Sequence, residues 1–169
     1  MDERIQTICA RRSVRDYTGA AVSEQDIRAL LEAGMAAPSA RNLQPWRFIA
    51  VTGRQELDRL AAIHPYAQML KSAGACIAVC GDREVNDAFW VQDCSAATEN
   101  ILVAAALLKL GACWLGVHPR AEREKSLKEQ LGVPDRFGLL CLVAVGVPAE
   151  TPEPRTQYDE SKVRRERWT

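Results

Sequence analysis

The stretch DAFWVQDCSAATENILVAAALLKLG, residues 87–111, is the longest helix candidate in the chain, spanning roughly 87–110. Its second half, Ile101 to Leu108, is apolar all round. A helix of that kind is buried on every side. In a chain of 169 residues, a partner subunit is the natural cover for it. Asp93 and Glu99 on this helix are six residues apart and do not share a face, so they read as surface or interface polar groups.

Working outward, ACIAVCG (75–81) is a continuous apolar run, the pattern of a strand buried on both faces. CWLGVHP (113–119) reads as a strand leading into a turn, and LLCLVAVG (139–146) as the last strand. RFIAVT (47–52) is a further strand. Between them, RQELDRLAAI (54–63) is helical, YAQMLKSA (66–73) a shorter helix, and EREKSLKEQLG (122–132) an amphipathic helix stopped at Gly132. In SEQDIRALLEAG (23–34), Ser23 is an N-cap with Asp26 in a capping-box-like position. Ile27, Leu30 and Leu31 form the apolar stripe of that helix, and Gly34 suits its end. Residues 3–10 form a short helix. The tail after 146 is rich in proline and charge, with no core of its own. Helices and four strands alternate without a repeat or linker, which gives one α/β or α+β domain.

Composition narrows the function. The 22 basic residues balance 22 acidic ones, which sets nucleic-acid binding aside. No run of about 18 apolar residues offers a membrane span. MDERIQTICARR lacks the apolar core of a signal peptide, so the expected location is the cytoplasm. The six cysteines sit mostly in apolar runs with no C-x-x-C pair, and read as reduced, buried thiols. His64 and His118 are too few and too far apart for zinc, so no metal is expected; both read as structural or surface residues.

Four constellations carry possible chemistry. RRSVRDY (11–17) packs Arg11, Arg12, Ser13 and Arg15 together, suited to bidentate capture of a phosphate; the alternative is a basic helix end favoured by the macrodipole. Lys162, Arg164, Arg165 and Arg167 form a second cationic cluster, or else a solvated charged tail. The loop APSARNLQPW (37–46) sets Ser39, Asn42 and Gln44 between prolines, where they can read the polar edge of a planar heterocycle or simply turn the chain. Gly116 at a strand end permits close backbone approach to a ligand, or tight packing. Neither a Gly-x-Gly-x-x-Gly fingerprint nor a P-loop is present.

In this order and spacing, Arg-x-Ser-x-Arg, LLEAGMAAPSARNLQPWRFIAV (30–51), TENILVAAALLKLGACWLGVHP (98–119), VAVGVP (143–148) and YDESKVRRERW (158–168) resemble the nitroreductase family of FMN-dependent oxidoreductases. The resemblance implies a three-layer sandwich with a mixed, mainly antiparallel sheet, in an intertwined homodimer. It implies one domain over 1–169, with 150–169 wrapping the partner. FMN would lie in clefts between subunits. Arg11, Ser13 and Arg15, helped by Arg12, would hold its phosphate and ring edge. Pro38, Ser39 and Ala40, with Asn42 and Gln44, would reach it from the other subunit. The backbone of Trp114, Leu115 and Gly116 would face the ring, and Lys162 and Arg164 the phosphate, although many short members carry histidine where Arg164 stands. The implied activity is ping-pong two-electron reduction of small electrophiles, such as nitroaromatics or quinones, by NADH or NADPH. A flavin-binding sensor without turnover, or a specialised flavin chemistry, is the alternative.

Overall fold

The computed structural model describes residues 2–168. Four strands form one sheet in the order β1 (Trp46–Val51), β2 (Ala75–Asp82), β4 (Phe137–Gly146), β3 (Gly111–Gly116). All three ladders are antiparallel. The parallel pairing expected of a mixed sheet is confined, among the described residues, to an isolated bridge between Ser13 and Ala112. β2 is buried at every residue and β4 at nearly every one, which is why both read as unbroken apolar runs.

Helices cover both faces. On one side α2 (Glu24–Met35) and α5 (Trp90–Leu107) bury Leu30 and Ile101 against Ile77, Val79 and Val143. On the other, α3 (Arg54–Ile63), α6 (Ala121–Leu131) and a 3-10 turn at Gln68–Lys71 bury Leu57, Leu60, Leu70 and Leu127 against Ala78 and Leu142. Each such side chain contributes about 1.5–3 kcal/mol by leaving water. Two short helices complete the set, α1 (Gln6–Ala10) before the arginine knot and α4 (Arg83–Asn86) before α5.

Two expectations are corrected. Gly34 does not stop α2; the helix runs on to Met35. A Cβ on Gly34 would meet the Ile101 side chain at 3.0 Å, so glycine is there to let α2 and α5 approach. The long helix begins at Trp90 rather than near residue 87, after a turn at 87–89. Its second half is not enclosed by this chain: Ile101, Leu102 and Ala105 are buried, but Leu107 is 63% exposed and Leu108 is exposed too. Gly132, by contrast, ends α6 in the left-handed conformation, φ 66°, as its position predicts. No helix of the described residues is long and apolar enough to cross a membrane.

Candidate functional site

The arginine knot lies along the outer edge of β3. The Val14 N–H donates to the Ala112 carbonyl at 3.0 Å. Tyr17, itself buried, donates its hydroxyl to the Val14 carbonyl at 2.8 Å and so pins the segment to the sheet. Val14 and Tyr17 point inward while Ser13 and Arg15 stay exposed. Alternation along one short segment thus turns apolar groups to the core and cations to the edge. Arg11 pairs with Glu99 of α5 at 3.3 Å, and Arg12 donates to the Glu153 carbonyl of the tail.

Beyond the knot, the rest of the β3 edge is open. In an antiparallel ladder the N–H and C=O of one residue point the same way, and the direction alternates. Ala112 points outward to the knot, so Trp114 and Gly116 share its phase and turn both their N–H and their carbonyl groups to the open edge. Leu115, expected to bring its backbone to the ligand, instead faces β4 with its peptide groups and buries its side chain. From Ala112 to Gly116 this shelf runs four residue steps, about 14 Å. Cations line one end, and the backbone amides and carbonyls of Trp114 and the exposed Gly116 form the other.

The 37–46 loop is a rigid device in its own right. Arg41, Asn42 and Gln44 all have left-handed backbone, at φ 55°, 57° and 49°. Each such non-glycine residue costs about 1–2 kcal/mol. Several bonds hold them: the Gln44 N–H donates to Ser39 Oγ at 3.0 Å, Asn42 N–H to the Ser39 carbonyl at 3.0 Å, and Gln44 Nε2 to Asn42 Oδ1 at 3.0 Å. The last bond leaves the Asn42 Nδ2 donors and the Gln44 Oε1 acceptor available to a ligand. Pro38 is exposed beside them, and the Ala40 N–H donates to Asp93 Oδ1 at 2.9 Å. Asp93 is therefore no surface group. It is 5% exposed on α5 and also accepts from Asn86 Nδ2 at 3.0 Å.

This loop and the knot do not meet within one chain. Ala112, beside the knot, pairs across the sheet with Val145, whereas Trp46, at the loop, pairs through Gly81 with Gly138. Seven residues of β4 separate those points, about 24 Å, and three strand spacings of ~4.8 Å lie across it. Lys162 and Arg164 lie in the exposed tail away from both. Lys162 pairs with Asp159 at 3.5 Å, and Arg164 donates to the Ser161 and Val163 carbonyls and sits over Trp168. Among the described residues, the root of the tail touches the knot and the helix before it: Ala149 N–H donates to the Asp16 carbonyl, Arg12 to that of Glu153, and Arg155 N–H to that of Cys9.

Sequence reasoning missed the groups behind the shelf. His64 is 1% exposed, a core group rather than a surface one. Its Nδ1 accepts the Tyr66 N–H at 3.2 Å, so its Nε2 carries the proton and donates to the Gly116 carbonyl at 3.0 Å. Burial first, then the nearby Arg123 charge, hold His64 below the usual histidine range. Arg123 Nη1 donates to the same carbonyl at 2.7 Å. Thiol chemistry is disfavoured beside the shelf. Burial pushes Cys113 up, partly opposed by the Arg15 charge, and pushes Cys76, Cys80 and Cys94 to about 12.

The cation-to-amide shelf on the open sheet edge of this α+β sandwich has the chemistry to suit a ligand that is anionic at one end and planar at the other. The sequence matches the Nitroreductase family over residues 8–71 and 61–147. It is 42% identical to a protein of Archaeoglobus fulgidus named "Putative NADH dehydrogenase/NAD(P)H nitroreductase", over 99% of this chain and 100% of that one. A crystal structure of a protein of the same description from Parabacteroides distasonis superposes with a TM-score of 0.95 at 39% identity, covering 99% of this chain and 100% of the other. A crystal structure from Desulfovibrio desulfuricans described as "a putative nitroreductase in complex with fmn" superposes with a TM-score of 0.85 at 34% identity, covering 100% of this chain and 99% of the other. The chain belongs to the nitroreductase family, and shares its fold.

Proposed function

We propose that this chain is an FMN-dependent oxidoreductase that uses NADH or NADPH to reduce small electrophilic acceptors, such as nitroaromatics or quinones, by ping-pong two-electron transfer. The observation that carries the reading is the shelf on β3. Arg11, Arg12, Ser13 and Arg15 suit a phosphate dianion. The outward N–H groups of Trp114 and Gly116 suit the acceptor atoms of a flat heterocycle, and Gly116 has open space where a Cβ would stand. The FMN in the Desulfovibrio relative supports the same ligand. Bound FMN supplies the hydride chemistry, while the chain supplies binding, orientation and charge.

The active form is a homodimer. Two sites form between subunits, each joining the knot and shelf of one copy to the Pro38–Gln44 segment of the other. The distance between those elements within one chain supports this arrangement, as does the uncovered end of α5. The single domain of 1–169 sends its last twenty residues over the partner, bringing Lys162 and Arg164 to the phosphate. Six free thiols, five of them buried, fit a cytoplasmic protein.

Purified protein should be yellow with one FMN per chain. Anaerobic NADH or NADPH should bleach the flavin absorbance, and a nitroaromatic or quinone should restore it. A yellow protein that neither nucleotide bleaches is a flavin binder without turnover, which would refute the enzymatic reading.

A further inference from the structure

Gly116 presents a puzzle of orientation. It has no Cβ, nothing lies within 4 Å of where one would be, and it ends its strand. Sterics therefore do not fix its peptide groups. Strand phase turns its N–H and, by the same rule, its carbonyl toward the open edge. An exposed carbonyl at that point would set an acceptor lone pair beside the amide donors. Instead it takes two hydrogen bonds, from His64 Nε2 at 3.0 Å and Arg123 Nη1 at 2.7 Å.

Both donors are themselves held. His64 closes α3, is fully buried, and has its tautomer set by the Tyr66 N–H on Nδ1. Arg123 stands in the first turn of α6 with its guanidinium 5.6 Å from the centre of the Tyr66 ring, and no carboxylate pairs with it among the described residues. The adjacent Val117 N–H is fixed to the Leu140 carbonyl at 3.1 Å. The peptide after Gly116 is thus clamped from three sides.

We propose that His64 and Arg123 are positioning residues for the flavin. They engage the Gly116 carbonyl so that the far end of the shelf offers N–H donors, and Arg123 adds an uncompensated positive charge behind that peptide. The inference rests on the FMN reading of the shelf. A cation at this point would stabilise the reduced, more electron-rich ring over the oxidised one. Arg123 and His64 would act on the cofactor through the Gly116 peptide that they hold.

The test uses holoprotein and three variants, Arg123→Gln, Arg123→Lys and His64→Phe. The readout is the flavin midpoint potential, measured by anaerobic equilibration with reference dyes, beside FMN affinity. Arg123→Gln should lower the ratio of reduced to oxidised FMN affinity about tenfold, a fall of about 30 mV for a two-electron couple. Arg123→Lys keeps the charge and should recover most of the potential. His64→Phe should lower the potential and weaken FMN binding; if it does not fold, the Arg123 pair decides alone. A purely structural role would change melting temperature and leave the potential where it was. Equal potentials in wild type and Arg123→Gln, with FMN fully bound in both, overturn the inference while leaving the FMN reading intact. Colourless wild-type protein that does not take up FMN overturns both.

Discussion

Asp93 ties three elements together through one carboxylate. Its two oxygens receive the Ala40 amide and the Asn86 carboxamide at 5% exposure. Asp93→Asn keeps the shape but turns one acceptor into a donor facing a donor. It should cost about 1–3 kcal/mol in urea denaturation. It should also weaken FMN binding, since the Ala40 amide fixes the strained 41–44 backbone. His64 makes a prediction in pH. Its folded pKa is lowered, so as pH falls through about 6.5 the unfolded chain takes up the proton while the fold resists. The His64 contribution is fully present above about 6.5 and is lost as pH falls from there towards the lowered folded pKa. Urea midpoints between pH 7.5 and 5.5 should drop less steeply in His64→Gln than in wild type, and the His64 ring proton should titrate below the ordinary histidine value by NMR. At the knot, Arg15→Gln removes one charge-assisted contact and should weaken FMN binding by about 1.5–3 kcal/mol, read by flavin fluorescence. Arg15 and Ser13 stand out in the sequence as candidate ligand groups because their chemistry is local and clustered. Asp93, His64 and Arg123 do not. Asp93 and His64 partner groups 53 and 52 residues away, and the Arg123 bond to a backbone carbonyl leaves no mark on the sequence.

At the scale of elements, Trp90 decides where α5 begins. Its indole lies over the two glycines that face each other across β2 and β4: a Cβ on Gly81 would stand 2.5 Å from Trp90 Cε3, and one on Gly138 2.5 Å from Cη2. The backbone of both strands is therefore the floor of the Trp90 pocket. Gly138→Ala should cost about 1–3 kcal/mol by overpacking. The cost should shrink when Trp90 is Phe, because a smaller ring vacates the space; additive losses in that double-mutant cycle would contradict the packing role. Here too the limits of sequence reading have a physical form. Apolar runs located all four strands, since β2 and β4 are covered on both faces. The start of α5 was misplaced because Phe89 supplies no capping side chain, and the helix is set by tertiary packing of Trp90. Gly34 resembled a stop for the same reason: a glycine needed for close approach by Ile101 looks, in one dimension, like one needed for a turn.

At the scale of the molecule, the chain leaves apolar surface that water does not suit. Ile8 of α1 is 59% exposed and Leu107 of α5 is 63% exposed, on helices that contact each other, and Leu108 adds to the surface. The sheet holds the Ser39 loop and the arginine knot at opposite ends, and the tail leaves the knot carrying Lys162 and Arg164 with partners only in its own turn. In the homodimer proposed above, a second copy would resolve all three features at once, by covering the apolar helix ends, bringing its loop to the first copy's shelf, and receiving the tail. Two perturbations separate the contributions. Leu107→Asp sets a charge in the covered surface and should weaken dimerisation by about 3–5 kcal/mol, seen as a shift towards monomer in sedimentation, with flavin lost in step. Deleting 150–169 removes no core side chain, so the monomer fold should survive by circular dichroism. Both the dimer and the bound FMN should still decline, because in the proposed dimer the tail serves the interface and the phosphate together. A truncated protein of unchanged size and full flavin content would show that the tail is a solvated appendage, and that the knot alone is the phosphate site.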